Sequence, residues 1–443
     1  MTFVLRTALL AAFVFAIDWY FFQAVSTVFR SLSATKRAVL FWIYWGFTAL
    51  SLLMIILPLL YPFQYWPKGL RVYAVSLVMV VMLSKIVGIL FVAIDDIIRL
   101  VRWLWQLIAA KIRSAPAFTQ PTDAVQNTTP VITRWEFLNQ VALGVALLPM
   151  ASLLYGMVRG AFNYTVHNVN VPLPHLPEEF DGLKIVHISD LHLGSFTSPE
   201  PLQKAVSIIK AQNPDVIFFT GDLVNNEAQE TAPFMDILRS ISAPMGVFST
   251  IGNHDYGDYM QWDSIESKRQ NFQRLQRVHA EVGWTLLMNE HRVLERNGAQ
   301  IAILGVENWG AAMNFPKRGD LSKAYQGTEK HTVKLLLSHD PSHWNAQVTQ
   351  DFPDIDITFS GHTHGAQFGV EIPGFRWSPV QYFYKQWAGL YRQEYAASHN
   401  KMPDNDSGRT AQYLYVNRGL GFLGYPGRVG ISPEITVLTL HKA

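Results

Sequence analysis

The sequence predicts a chain of two parts, an α-helical transmembrane region followed by an α/β domain. Three observations carry that prediction. Long apolar runs crowd the first third of the 443 residues. After about residue 165, short apolar strands alternate with helical patterns, as an α/β fold requires. Nearly every one of those strands ends in residue types that ligate metals, at the rim where α/β sheets place their sites.

Composition agrees with this division. The chain is 49% hydrophobic and only 16% charged, against about 25% charged in an ordinary soluble protein. Its mean hydropathy is positive. A net charge of +2 leaves no electrostatic footprint for nucleic acid, and no such partner is expected. The absence of cysteine excludes disulfides, thiolate zinc sites and a cysteine nucleophile.

Four runs are long enough to cross a bilayer, which takes about 20 apolar residues. They are Phe3 to Ala24, Val39 to Tyr61, Val72 to Val92 with an extension, and Phe137 to Val158. Most lack the polar face of a helix packed on a soluble core. The first is too long for a signal peptide, and three further spans follow it. Arg30, Lys36 and Arg37 lie in the first loop, and Arg99, Arg102, Lys111, Arg113 and Arg134 in the third connection. The opposite side has Arg6, Lys68, Arg71 and Arg159. The positive-inside rule then puts the first and third connections in the cytoplasm and the α/β domain outside.

Asp18 and Lys85 fall within the first and third spans. At 1.5 Å per residue both lie roughly 20 Å below the outer surface. An ion pair between them is expected, against the alternative that Asp18 faces water at the interface. "DDIIRLVRWLWQLIAAKIR" reads as a basic amphipathic helix on the membrane surface, and "SAPAFTQPTDAVQNTTP" as a linker. The expected organisation is therefore three spans and the start of the surface helix over residues 1–105. The helix end and linker follow over 106–135, the fourth span over 136–160 and the α/β domain over 165–443.

The strand ends carry the chemistry. "LKIVHISDLH" reaches Asp190 and His192, and "PDVIFFTGD" reaches Asp222. "GVFSTIGNHD" presents Asn253, His254 and Asp255, and "VKLLLSHDP" presents His339. "DIDITFSGHTHGAQ" alternates through Ile355, Ile357 and Phe359, then sets His362 and His364 between glycines. Two divalent ions about 3.5–4 Å apart can clamp a phosphate and activate a water between them. A carboxylate must bridge such ions, and Asp222 is the candidate. Imidazole suits Zn, Fe and Mn, and carboxylate or amide oxygens harden the site. His187, inside its strand, and His279 and His291 are expected to be structural.

The series "DLH", "GDLVNN", "GNHD", "SHDP" and "GHTHG" resembles the calcineurin-like metallophosphoesterases over about residues 165–443. The resemblance implies a two-sheet sandwich flanked by helices (an αββα fold) and two divalent metal ions, Mn, Fe or Zn. It implies one ion held by Asp190, His192, Asp222 and His364, and the other by Asp222, Asn253, His339 and His362. It also implies His254 as acid or charge stabiliser at the leaving oxygen, with Asp255 orienting its ring. "QWAGLY", "LYVNRGLG" and "PEITVLTL" look like the membrane-associated bacterial branch, which implies a multi-pass protein of the bacterial inner membrane; the Lys and Arg distribution is what puts its catalytic domain outside. Members of that branch resemble phosphodiesterases, and one relative hydrolyses a UDP-diacylglucosamine pyrophosphate bond. Two departures stand out. Ala366 replaces a frequent glycine with little expected effect, and Asn225 replaces a frequent aspartate, which puts any supporting role there in doubt.

"IPGFRWSPVQYFYKQWAGLYRQ" interleaves Phe375, Trp377, Tyr382, Phe383, Tyr384, Trp387 and Tyr391 with Arg376, Lys385 and Arg392. Such a mixture suits a membrane interface with anionic head groups, or else an insertion packed into the core. "HNKMPDNDSGRT" reads as an exposed loop. Two function classes follow: a membrane-anchored enzyme acting on a phosphodiester or lipid-linked phosphate, and a non-enzymatic sensor or transport module. Intact ligand types at every motif favour the enzyme. Within that class a UDP-2,3-diacylglucosamine-type pyrophosphatase is the alternative. The sequence carries no signal for oligomeric state.

Overall fold

The computed structural model describes residues 3–62, 65–112, 132–313, 315–394 and 409–443. The predicted linker over 114–130 and residues 399–408 of the predicted exposed loop lie outside them. The chain divides into two compact units, Met1–Leu154 and Tyr155–Ala443.

Four helices long and apolar enough to cross a membrane occupy the first part of the chain. They are α1 (Phe3–Val28), α2 (Ala34–Ile56), α3 (Val75–Ile112) and α4 (Arg134–Val158). Small side chains bring these helices together. Ala24, Val92 and Ala142 are fully buried against one another, and a Cβ on Gly88 would meet the Phe21 ring at 2.5 Å and the Ala142 carbonyl at 2.9 Å. The expected intramembrane ion pair is present: Lys85 Nζ donates to Asp18 Oδ1, and both residues are buried. The Tyr44 hydroxyl donates to the Asp18 carbonyl at 2.8 Å, and its ring lies 4.4 Å from Lys85 Nζ.

One expectation is corrected here. The basic segment from Asp95 onward is no separate surface helix but the unbroken continuation of α3, a single helix of 38 residues. No glycine or proline occurs between residues 89 and 112, so nothing in the backbone ends the helix where its composition changes.

Among its described residues the second unit contains fourteen strands. In chain order they are β1 (Thr165–Pro172), β2 (Lys184–Ile188), β3 (Val216–Phe219), β4 (Val247–Ser249), β5 (Thr285–Leu286), β6 (Glu290–Arg296) and β7 (Ala299–Gly305). There follow β8 (Lys334–Leu337), β9 (Ile357–Ser360), β10 (Val370–Ile372), β11 (Phe375–Trp377), β12 (Gly389–Glu394), β13 (Ala411–Val416) and β14 (Glu434–His441). One sheet has the order β1-β14-β2-β3-β4-β5, the other β12-β13-β9-β8-β7-β6, and β10 pairs with β11 in a separate ribbon. The runs β2 to β5, and β13 through β9 and β8 to β7, are parallel, with Ile185 opposite Val216 and Leu335 opposite Ile357.

Alternation along each strand builds three layers of core. Ile185, Phe218, Leu335, Phe359 and Tyr415 meet between the sheets. Val186, Ile217 and Phe219 point the other way, onto Leu202, Val206 and Ile209 of the helix Glu200–Ala211, whose apolar spacing follows the helical period. Leu304, Leu336 and Leu414 pack outward on Trp344 and Val348. The predicted αββα sandwich is therefore the observed one. It places the ends of β2, β3, β4, β8 and β9 along one edge, and the site is built there.

Candidate metal centre

Each parallel strand delivers its residues just past its last apolar position. Asp190 and His192 follow β2, Asp222 follows β3, Asn253 follows β4, His339 follows β8, and His362 and His364 follow β9. All lie 10% exposed or less at the side chain where they form ion pairs, in a sheet edge that water scarcely reaches. The structure brings six of these seven residues together in two groups, with Asn253 beside the second. Asp190, His192 and His364 form one, and Asp222, His339 and His362 the other, with the donor atoms of each within 4.8 Å of one another. Asp222 joins the groups, since its Oδ2 lies 3.2 Å from His339 Nε2 and 3.5 Å from His192 Nε2. Asn253 Oδ1 sits 3.2 Å from His339 Nε2 and 2.8 Å from His362 Nδ1, while its amide nitrogen donates to the Tyr259 hydroxyl at 2.8 Å.

The outward nitrogens show what the centre is built to hold. His339 Nδ1 faces the Thr220 carbonyl at 2.7 Å, His192 Nδ1 faces Asn225 Oδ1 at 3.1 Å, and His362 Nε2 faces the Tyr384 hydroxyl at 2.8 Å. A proton donated outward along each contact leaves the other ring nitrogen with its lone pair directed inward. Inside, His192 Nε2 then meets His364 Nε2 at 3.0 Å and His339 Nε2 meets Asn253 Oδ1 at 3.2 Å. Lone pairs converging on carboxylate oxygens fit a bound cation, and outward hydrogen bonds of this kind orient metal-ligating imidazoles.

The electrostatics agree. Burial holds His192 down at about 3, so it stays neutral and able to donate a lone pair. Burial also disfavours charge on His339, yet Asp222 beside it outweighs that and lifts it to about 10. A cation entering there would displace that proton. Asp222 is held well below the usual carboxylate range by His339 and His254, against the effect of burial.

Tight space explains the glycines. A Cβ on Gly361 would lie 2.2 Å from Asp190 Oδ2, and one on Gly252 2.2 Å from Asp222 Oδ1. The sharp turns belong largely to the ligand-type residues themselves. Asp190, His192, Asp222, His362 and His364 all have left-handed backbones, with φ of 53°, 48°, 56°, 71° and 50°. Ala366 does too, at φ 51°, so the alanine that replaces a frequent glycine does carry backbone strain.

Two expectations about neighbouring residues change. Asp255 does not orient the His254 ring. Its carboxylate accepts from the backbone N–H groups of Asp222, Leu223, Val224 and Gly252 at 2.8–3.3 Å, and so it fastens the loop that carries Asp222. A buried carboxylate surrounded by four N–H donors has no lone pair aimed elsewhere. The His254 ring is instead held by its Nδ1 on the Asn225 carbonyl at 2.9 Å and by the Tyr259 ring, 4.4 Å away between centroids. The backbone N–H of His254 donates to Asp222 Oδ1 at 2.8 Å. Asn225 thus keeps a supporting role, because an amide oxygen accepts from His192 as a carboxylate would.

The aromatic stretch divides between its two readings. Tyr384 and Trp387 are buried with Ile431 in a small core beside the centre, whereas Phe375, Tyr382 and Phe383 are exposed. Sequence reasoning missed Asp340 and Arg428. Asp340 is fully buried and accepts from the Tyr384 hydroxyl at 3.3 Å. Arg428, also buried, donates to the carbonyls of Arg418, Gly419 and Gly421 and faces His364 Nδ1 at 3.2 Å. Asp340 stood in plain view after His339 in "SHDP", while no local signal marked Arg428. His187, His279 and His291 lie apart, on Thr220, Ser249 and Ala324 respectively, as expected of structural histidines.

Comparison with known proteins gives the same reading. A family model described as a probable calcineurin-like phosphoesterase transmembrane domain matches residues 1–161, and one for calcineurin-like phosphoesterases matches residues 183–366. A metallophosphoesterase of Bacillus subtilis is 31% identical over 283 residues, 63% of this chain and 85% of its own length. The chain belongs to the calcineurin-like metallophosphoesterases. This metallophosphoesterase is also 32% identical over 308 residues to a transmembrane protein with metallophosphoesterase domain from Danio rerio, across 68% of the chain. That match spans only 62% of the zebrafish protein. A UDP-2,3-diacylglucosamine pyrophosphatase of Chlamydia trachomatis is 31% identical over 288 residues, 58% of this chain and 83% of its own length. The family makes the chain a metal-dependent phosphoesterase, and its four apolar helices make it a membrane protein.

Proposed function

We propose that this phosphoesterase hydrolyses phosphodiester bonds, including those of lipid-linked substrates, at a centre of two divalent ions. The observation that carries the reading is Asp222, one carboxylate oxygen of which lies within 3.5 Å of imidazoles from both groups. Asp190, His192, Asp222 and His364 would hold one ion, and Asp222, Asn253, His339 and His362 the other. Mn, Fe and Zn all suit this mixture of imidazole and oxygen donors. Bound there, such ions supply Lewis acidity toward a phosphoryl group and a lowered pKa for water.

The chain's own residues do the rest. Asp255 keeps the Asp222 loop rigid through four backbone hydrogen bonds. His254, held at Nδ1 by the Asn225 carbonyl, offers Nε2 as acid or charge stabiliser to the leaving oxygen. The distribution of Lys and Arg supports an inner-membrane topology with the catalytic domain outside the cytoplasm. A second reading, cleavage of a nucleotide-lipid pyrophosphate, draws support from the chlamydial relative.

Purified full-length protein in detergent tests the first reading. It should retain about two transition-metal ions per chain and hydrolyse bis-p-nitrophenyl phosphate. Asp222→Asn should lower both metal content and turnover. His254→Ala should cut turnover roughly 10²–10⁴-fold with metal content near normal. One ion per chain, or an active Asp222→Asn, would overturn the two-ion centre. Hydrolysis of UDP-diacylglucosamine but of no diester would favour the second reading.

A further inference from the structure

The ribbon β10–β11 belongs to neither sheet, and a lone two-stranded ribbon has little stability of its own. It nevertheless exposes Ile372 at 58% and Phe375 at 54%, and the turn after it exposes Tyr382 at 73% and Phe383 at 66%. These large apolar side chains are gathered within one short segment, and contiguous exposed apolar patches mark interaction sites. The segment is also anchored to the metal centre. Ser378 Oγ donates to the Gly365 carbonyl at 2.8 Å, Thr363 Oγ1 to the Trp387 carbonyl at 2.7 Å, and Tyr384 contacts His362. Ala312 and Val380 each pack against the Tyr384–Trp387 core, and Met313, next in the chain to Ala312, is 64% exposed.

Composition points to the occupant. Exposed Arg376 and Lys385 are interleaved with the aromatic residues, the mixture that settles at the head-group level of a bilayer. Four apolar helices keep the chain on a membrane, so that surface is present at high effective concentration. We propose that residues 370–383, with Met313, form a docking face that enters the head-group layer and brings the rim of the metal centre to the lipid surface. The docking itself does not depend on the phosphodiester reading, although that reading would explain its use.

The absence of cysteine makes a direct test available. Single substitutions Phe375→Cys and Phe383→Cys, with Asp236→Cys as reference, are labelled with an environment-sensitive nitrobenzoxadiazole in the full-length protein. Each is reconstituted in vesicles of phosphatidylcholine and phosphatidylglycerol, with or without doxyl-labelled lipid. The labels at 375 and 383 should emit at shorter wavelength, lose at least half their intensity to doxyl lipid and resist aqueous iodide. The label at 236, whose side chain is 96% exposed, should do the reverse. Labels at 375 and 383 that behave like the one at 236 would overturn the proposal. Protection from iodide without quenching by doxyl lipid would also overturn it, by showing that a second copy of the chain covers the face. Turnover of bis-p-nitrophenyl phosphate in the same vesicles separates the two ideas: lipid quenching without turnover sinks the phosphodiester reading alone, and turnover without quenching sinks the docking alone.

Discussion

The Tyr384 hydroxyl lies 2.8 Å from His362 Nε2. One ring of the aromatic segment therefore selects the nitrogen that His362 turns toward the centre. Asp340 Oδ2, 3.3 Å beyond, completes a chain of three groups, of which Tyr384 and Asp340 are buried. Tyr384→Phe keeps the ring in its apolar cluster and removes only this link. Metal affinity should fall by about 10-fold or more, read by metal titration of the purified protein, with the unfolding temperature little changed. Unaltered affinity would remove His362 from the proposed ligand set or Tyr384 from its support.

Asn225 should behave as a replaceable acceptor. It receives from His192 Nδ1 and also exchanges hydrogen bonds with the Ser195 hydroxyl. Asn225→Ala should weaken metal retention, whereas Asn225→Asp should preserve or strengthen it, because a carboxylate raises the basicity of the ring it accepts from. Equal losses in both variants would show that the amide nitrogen, not the oxygen, matters.

The Asp18–Lys85 pair should reveal itself in a double-mutant cycle. Removing one partner leaves the other charge buried and unpaired, at a cost of about 3–5 kcal/mol. Asp18→Leu and Lys85→Met should each lower the unfolding temperature in detergent, and the double variant should be more stable than either single one. Additive losses would mean that the two side chains do not interact energetically.

Glu434 gives the α/β domain an acid-sensitive contribution. Burial would raise its pKa, but Arg418 and the Tyr415 and Thr436 hydroxyls outweigh that and hold it at about 2, against an ordinary value of 4.5. A carboxylate depressed in the folded state stabilises fully above its unfolded value and loses that stabilisation as pH falls through the folded one. The gain, on the order of 3 kcal/mol, should therefore disappear between about pH 4.5 and pH 2. Chemical denaturation should show wild type well above Glu434→Gln at pH 6 and nearly level with it at pH 2. A constant gap across that range would contradict the assignment.

Sequence reading located the sandwich and named the six residues that the structure gathers into two groups, because both follow from local pattern. Short apolar runs mark β2, β3 and β8 and alternation marks β9, and the residues just past each strand had to share an edge once the sheets were parallel. What it could not supply were contacts between distant segments. Tyr384 lies 22 residues from His362 and 44 from Asp340, and no periodicity links them. Asp255 misled because its partners are backbone N–H groups, which every residue type offers alike. The segment after Asp95 misled for a different reason, since a change from apolar to amphipathic composition does not by itself break a helix.

Five of the residues grouped at the sheet edge hold left-handed backbones, from His192 at φ 48° to His362 at φ 71°. L-residues other than glycine accept that geometry at roughly 1–2 kcal/mol each. Glycine at any of these positions would relax the backbone while deleting a side chain of the proposed metal centre. Resistance to heat and the capacity to bind metal therefore pull in opposite directions along one edge of the fold. A laboratory search that rewards thermal endurance alone would place no value on keeping those side chains. Directed improvement of this enzyme must score metal retention in every round.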